Sequence, residues 1–207
     1  MTFTAPVTRT HAIAPEDQAR AELYAVLSRL YSAAPDAPVL AALGASDTWV
    51  EDPANPVALA WNRLVLASRA MDAEAAEEEY TTLFVGVGRS EVSLHASFWL
   101  PNSLPHPLVG VRAELAALGL GRREGAVVYE DQLGALCETM RILIAGTDER
   151  RPADLAVQSG FFGRWIGPWA FSCCDAICKC PVANYYVRVA EFTGYYLAVE
   201  RDSLAME

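Results

Sequence analysis

The last long run of the chain, VANYYVRVAEFTGYYLAVE from Val182 to Glu200, most constrains the fold. Its apolar residues Val182, Tyr185, Tyr186, Val189, Phe192, Tyr196 and Val199 recur every three or four positions. That period places them on one face of an α-helix and on no single face of a strand. Four tyrosines and phenylalanines on one stripe need a large apolar surface to pack against, so the rest of the chain must supply one.

It supplies more helices. In QARAELYAVLSRLYSAA, Leu23, Val26, Leu27, Leu30 and Tyr31 repeat the spacing, and Pro35 ends the segment. Val57, Trp61, Leu64 and Met71 mark a second helix. AEAAEEEYTTLFV marks a third, with Tyr80, Leu83 and Phe84 inward and acidic residues at its start, where the helix dipole favours them. A helix near Leu108 to Leu118 closes at Gly119. Another, EDQLGALCETMRILIAG, buries Leu133, Leu136, Cys137, Met140, Leu143 and Ile144, begins with Glu130 and Asp131, and stops at Gly146. Ala153 to Glu200 reads as two or three more. No alternating strand with a hairpin turn and no repeat unit occurs. The expectation is an all-α fold of roughly nine helices, with hinges at Pro35 to Pro56 and Gly146 to Pro152.

Residues 1–18 are expected to form a mobile leading end and residues 19–207 one domain. Residues 86–107 read as a long hinge-like loop containing Phe98, Trp99 and Leu100. Connections beyond about 12 to 15 residues are commonly functional, and these side chains are too apolar to be left in water.

With 53% hydrophobic and 20% charged residues, the chain is rich enough in apolar side chains to fold. Sixteen basic against 26 acidic residues leave a net charge of −10. That balance argues against nucleic acid and anionic membrane surfaces as partners and favours a basic ligand. No run approaches the roughly 18 to 20 apolar residues of a membrane span. The opening MTFTAPVTRTHAIAPEDQ lacks an apolar stretch behind a positive segment, so a cytoplasmic location is expected. The arginine pairs Arg122-Arg123 and Arg150-Arg151 are internal and precede no such stretch.

Catalytic inventories are sparse. The three histidines, His11, His95 and His106, lie outside any E-x-x-H or H-E-x-x-H helix motif. No nucleophile elbow or phosphate loop is present, and GVGRSE from Gly86 follows a helix where a dinucleotide fingerprint requires a strand. No enzymatic activity and no cofactor are expected. The segment FSCCDAICKCP concentrates four of the five cysteines. On a helix Cys173 and Cys180 nearly align, while Cys174 and Cys178 turn roughly 100° or more away. One ion could be shared only if the helix broke, which Pro181 permits at Cys180. Buried free thiols are the simpler reading; a metal or thiol sensor using Cys173, Cys174, Cys178 and Cys180 is the alternative.

Four segments together carry a resemblance: EYTTLFVGVG from Glu79, SLHASFWL from Ser93, YEDQLGALCETM from Tyr129, and QSGFFGRWIGPWA from Gln158 with the YYVRVAEFTGYYLAVE that follows. In order and spacing they resemble the TorD/DmsD family of redox-enzyme maturation chaperones, over about residues 20–201. The resemblance implies a helical cytoplasmic chaperone that binds the precursor of a molybdenum-cofactor oxidoreductase of the dimethyl sulfoxide reductase type. It would recognise the twin-arginine leader and hold back export until the cofactor is inserted. It would work as a monomer or a domain-swapped homodimer. The family's central Asp-His reads Asp131-Gln132 here, which keeps hydrogen bonding but loses imidazole's proton-dependent charge. The family's Gly-Pro-Gly turn reads Gly86-Val87-Gly88, without proline's fixed φ. On this reading Ser97, Trp99, Asp131, Gln132 and Glu138 line or border the client-peptide groove, with the carboxylates pairing with the leader's arginines.

Overall fold

Helix α1 (Pro15–Ser32) starts where Pro15 can occupy the first turn without losing a hydrogen bond, with Glu16 and Asp17 on the positive end of the dipole and Arg29 on the negative end. In the computed structural model, which describes residues 13–50, 52, 54–86, 90–122 and 128–206, nine further α-helices and one π-helical turn follow. They are α2 (Ala37–Ala45), α3 (Pro56–Ala70), α4 (Ala73–Tyr80) continued by the π-turn Thr81–Val85, and the single-turn α5 (Ala96–Trp99). Then come α6 (Pro107–Ala117), α7 (Leu133–Ala145), α8 (Leu155–Trp165), α9 (Ala170–Lys179) and α10 (Tyr185–Leu204). The described residues form no strand beyond two isolated bridges.

The all-α architecture is as the periodicity requires, with ten helices where roughly nine were expected. Residues 15–18, read from sequence as part of a loose leading end, are helical; residues 1–12 and the Val87-Gly88 part of the expected turn lie outside the described residues.

Helices α1 and α7 form the most extensive pairing, and α10 packs against α3 and α9. Tyr24, Leu27, Leu30 and Tyr31 of α1 meet Leu136, Cys137, Met140 and Leu143 of α7 in one core. On α10, Tyr185, Tyr186, Val189, Phe192 and Tyr196 are buried as the stripe predicts, but Val182 and Val199 are about half exposed. The reason is geometric. Helix α10 begins only at Tyr185, so Val182 precedes it in a turn, and the buried face takes in Ala190, Thr193 and Leu197 instead.

Two carboxylates, the half-buried Glu79 and the buried Glu200, pin the helices in place. Glu79 of α4 accepts from the backbone N–H groups of Asn184, Tyr185 and Tyr186 at 2.8, 3.0 and 2.8 Å, so one helix caps the start of another. Glu200 of α10 accepts from Arg20 of α1 through two nitrogens at 2.8 and 3.0 Å, and Arg20 also donates to Gln158 of α8 at 3.1 Å. Burial alone would lower the basicity of Arg20, but its bonds to Glu200 reverse that and raise it.

The stretch read as a long hinge is tied down across its middle. Val92 N–H donates to the Leu83 carbonyl (2.9 Å), Ala96 N–H to the Asp131 carbonyl (2.9 Å), and Leu133 N–H to the Leu94 carbonyl (2.8 Å). The apolar residues found there explain it. Val92, Leu94 and Ala96 are core residues, and Trp99 and Leu100 pack against the core, leaving Phe98 exposed.

Candidate functional site: the cleft at the C-terminal end of α1

Where α1 ends, the start of α7, the end of α6, the π-turn and residues 90–95 surround an open cleft. It consists of two adjoining cavities of about 340 and 430 Å³ that meet at Ser32 and Val128. The first is walled by Leu115, Leu120, Ala135 and Ile142, with Glu130 and Glu138 at its edge. The second is walled by Tyr80, Phe84, Leu94, His95 and Tyr129.

Gln132 builds the corner between them. It precedes α7, and its side-chain oxygen accepts from Gly134 N–H (2.5 Å) and Ala135 N–H (3.3 Å), capping the helix. Its amide nitrogen donates to the Tyr31 carbonyl at the end of α1. Thus α7 begins at Leu133, and Glu130 and Asp131, expected from sequence within its first turn, lie before it. Gly134 completes the corner. A Cβ there would come within 2.8 Å of Ser32 N and collide with its hydroxyl, so only glycine allows α1 to end this close.

Asp131 is 2% exposed, and its carboxylate accepts from Ser97 N–H (3.0 Å), from the Ser97 hydroxyl and from His95 Nδ1 (3.2 Å). Burial would raise its pKa, but these donors outweigh burial and bring it down to about 2. An ionised carboxylate can only accept, so Nδ1 of His95 carries the proton. The imidazole is 39% exposed and forms part of the wall of the second cavity.

The residues singled out from sequence therefore divide. Ser97 and Asp131 meet directly behind the cavity wall, Gln132 sits at the corner, and Glu138 stands further along α7 at the edge of the first cavity. Trp99 donates through its indole N–H to the Ser93 carbonyl at 2.9 Å and lines neither cavity. The carboxylates are less free for a ligand than expected. Glu138 is held by Arg141 through two bonds of 2.9 and 2.7 Å, Glu130 by Arg112 at 3.0 Å, and Asp131 is internal. Sequence reasoning missed His95, Tyr129 and Ser32. His95 lies 36 residues before its partner, outside any ligand spacing, and only its place inside the SLHASFWL motif marked it.

The cysteine segment does not converge on a point. Cys173 is buried with its sulfur 3.6 Å from the Ser93 carbonyl, Cys174 is buried, Cys178 is exposed, and Cys180 follows the end of α9 in an extended conformation, as a residue before proline should. Burial pushes the Cys174 thiol up to about 12 and raises that of Cys178 as well, which suppresses the reactive thiolate. Among the described residues no three His, Cys, Asp or Glu side chains are placed to hold a metal ion. No described helix is long and apolar enough to cross a membrane.

The described helices surround an open cleft whose walls are mostly packed aliphatic and aromatic side chains. The family model described as nitrate reductase delta subunit matches residues 51–175, and the chain belongs to that family. The match supports a molybdoenzyme maturation chaperone, the class that the sequence resemblance implied. No curated protein matches the chain.

Proposed function

We propose that the protein binds the precursor of a molybdenum-cofactor oxidoreductase of the dimethyl sulfoxide reductase type in the cytoplasm, engaging its twin-arginine leader and its body until the cofactor is inserted. It acts by binding and release, without turnover, as one domain from about residue 19 onward. The observation that carries this reading is the two-chambered cleft. A leader of this kind is a basic pair followed by an apolar segment, and the cleft offers one chamber with aliphatic walls beside one with aromatic walls. Burial of the apolar segment supplies most of the affinity. The excess of acidic residues, net −10, speeds encounter with the basic end.

Because Glu138 and Glu130 are already paired within the chain, reversing either charge changes the salt dependence and the association rate more than the affinity. The experiment is titration calorimetry with peptides spanning the twin-arginine leaders of the source organism's molybdoenzymes, at low and high salt, beside a leader from an unrelated enzyme. Binding of one leader in preference to the control supports the proposal and names the client. If none of the leaders binds, the proposal is wrong. Gel filtration across a range of concentrations decides between a monomer and a dimer that exchanges its C-terminal helices.

A further inference from the structure

The second cavity contains an acceptor whose charge is hidden. None of the described residues that line it carries a fixed charge, yet Asp131 stands one hydrogen bond behind its wall, ionised and almost inaccessible. Since Nδ1 of His95 donates to that carboxylate, the ring's one possible lone-pair acceptor is Nε2, on its far edge. Nε2 has no partner among the described residues. The buried negative charge behind the ring strengthens that acceptor and favours a cation in front of it.

The neighbouring wall suits one class of cation. Tyr129 is 52% exposed, with its ring centroid 6.1 Å from that of His95 in an edge-to-face arrangement, and Phe84 and Tyr80 continue the aromatic surface. Aromatic faces favour a flat, weakly hydrated guanidinium over a compact, strongly hydrated ammonium. The chain itself displays this contact, for Arg122 lies over the Tyr129 ring at 5.7 Å from its centroid.

We propose that the second cavity is an arginine-reading subsite of the client cleft, in which His95 Nε2 accepts a guanidinium N–H of the leader and Asp131 acts only through His95. This rests on the reading given under Proposed function and gives the bound leader a direction, with its arginines in the aromatic chamber and its apolar segment in the aliphatic one. Direct pairing of the leader with Asp131, the simplest reading of the sequence, is replaced by an indirect one. Asp131 is thus a positioning residue, and His95 is the one that touches the ligand.

The two nitrogens of the ring can be tested separately. His95→Asn places an amide nitrogen where Nδ1 stands, retaining a donor to Asp131, and deletes Nε2. Each leader peptide is made in a second version with glutamine for both arginines, and all four combinations of protein and peptide are titrated. The expected result is a loss of roughly tenfold in affinity for the arginine peptide on His95→Asn, as for a hydrogen bond to a charged group, and less than about twofold for the glutamine peptide. In the His95→Asn background, Asp131→Asn adds nothing further to the discrimination between the two peptides. Equal loss for both peptides, or no loss for either, overturns the subsite while leaving the chaperone reading intact. Failure of every leader to bind the unmodified protein removes that reading and the subsite together. Should His95→Asn melt well below the unmodified protein, His95→Gln, whose amide oxygen stands near the position of Nε2, must restore the preference for the arginine peptide.

Discussion

A buried carboxylate stands near each end of α1, and the two serve different ends. Near its start, Arg20 is locked to the buried Glu200, and the arginine side chain is itself mostly covered. Near its finish, the buried Asp131 is paired with a half-exposed His95, and the surroundings open into two cavities. Both carboxylates are almost completely removed from water. What differs is the partner. The Arg20 guanidinium spends four of its five N–H donors on Glu200, Gln158 and Asp17, which leaves at most one for a ligand. An imidazole gives one nitrogen to the protein and keeps the other. A buried charge thus becomes readable from outside only when its partner has two separate faces.

Breaking the closed end should have the largest effect. Removing the buried Glu200 takes two of the four bonds from a partly buried Arg20, which keeps Asp17 and Gln158, so Glu200→Ala costs about 3 kcal/mol in denaturant unfolding. A cost below about 1 kcal/mol would show that water reaches Arg20 and that the two ends do not differ.

Next in size is the corner at the open end. Gly134→Ala forces a methyl group against Ser32 and loses roughly 1 to 3 kcal/mol by overpacking. It should also weaken leader binding, because the end of α1 forms part of both chambers. Unchanged stability and binding would mean that α1 can shift without consequence.

The Asp131 contact predicts a pH dependence with a definite sign. Its pKa in the folded protein, about 2, lies below the ordinary 3.8, so the native state favours the ionised form. The contribution is complete above the ordinary value and is lost as pH falls from 3.8 towards 2. It amounts to on the order of 2 kcal/mol. Melting curves of Asp131→Asn should fall less steeply over that interval than those of the unmodified protein, and parallel curves would remove Asp131 from the account. The smallest change in stability belongs to His95→Asn, expected within about 0.5 kcal/mol since the amide keeps the bond to Asp131. A larger loss would make His95 a structural residue like Arg20.

Much of this was legible along the chain. The three-and-four spacing of Leu27, Leu30, Leu136, Met140, Val189 and Phe192 determined the helices and their inner faces, because helical period and burial are local consequences of side-chain order. The proline after Cys180 set the end of α9 for an equally local reason. The family likeness was also readable, and the motifs from Glu79 to Ala170 lie within the match over residues 51–175. What only the tertiary structure decided was which polar groups face each other. Asp131 is next to Gln132 in sequence, yet one turns inward to Ser97 and His95 while the other turns to α1 and caps α7. Glu138, which sequence alone left free to meet a ligand, spends its charge on Arg141 one turn further on. Hydrogen bonds between residues 36 or 101 positions apart depend on how closely whole helices approach, and no local pattern encodes that distance.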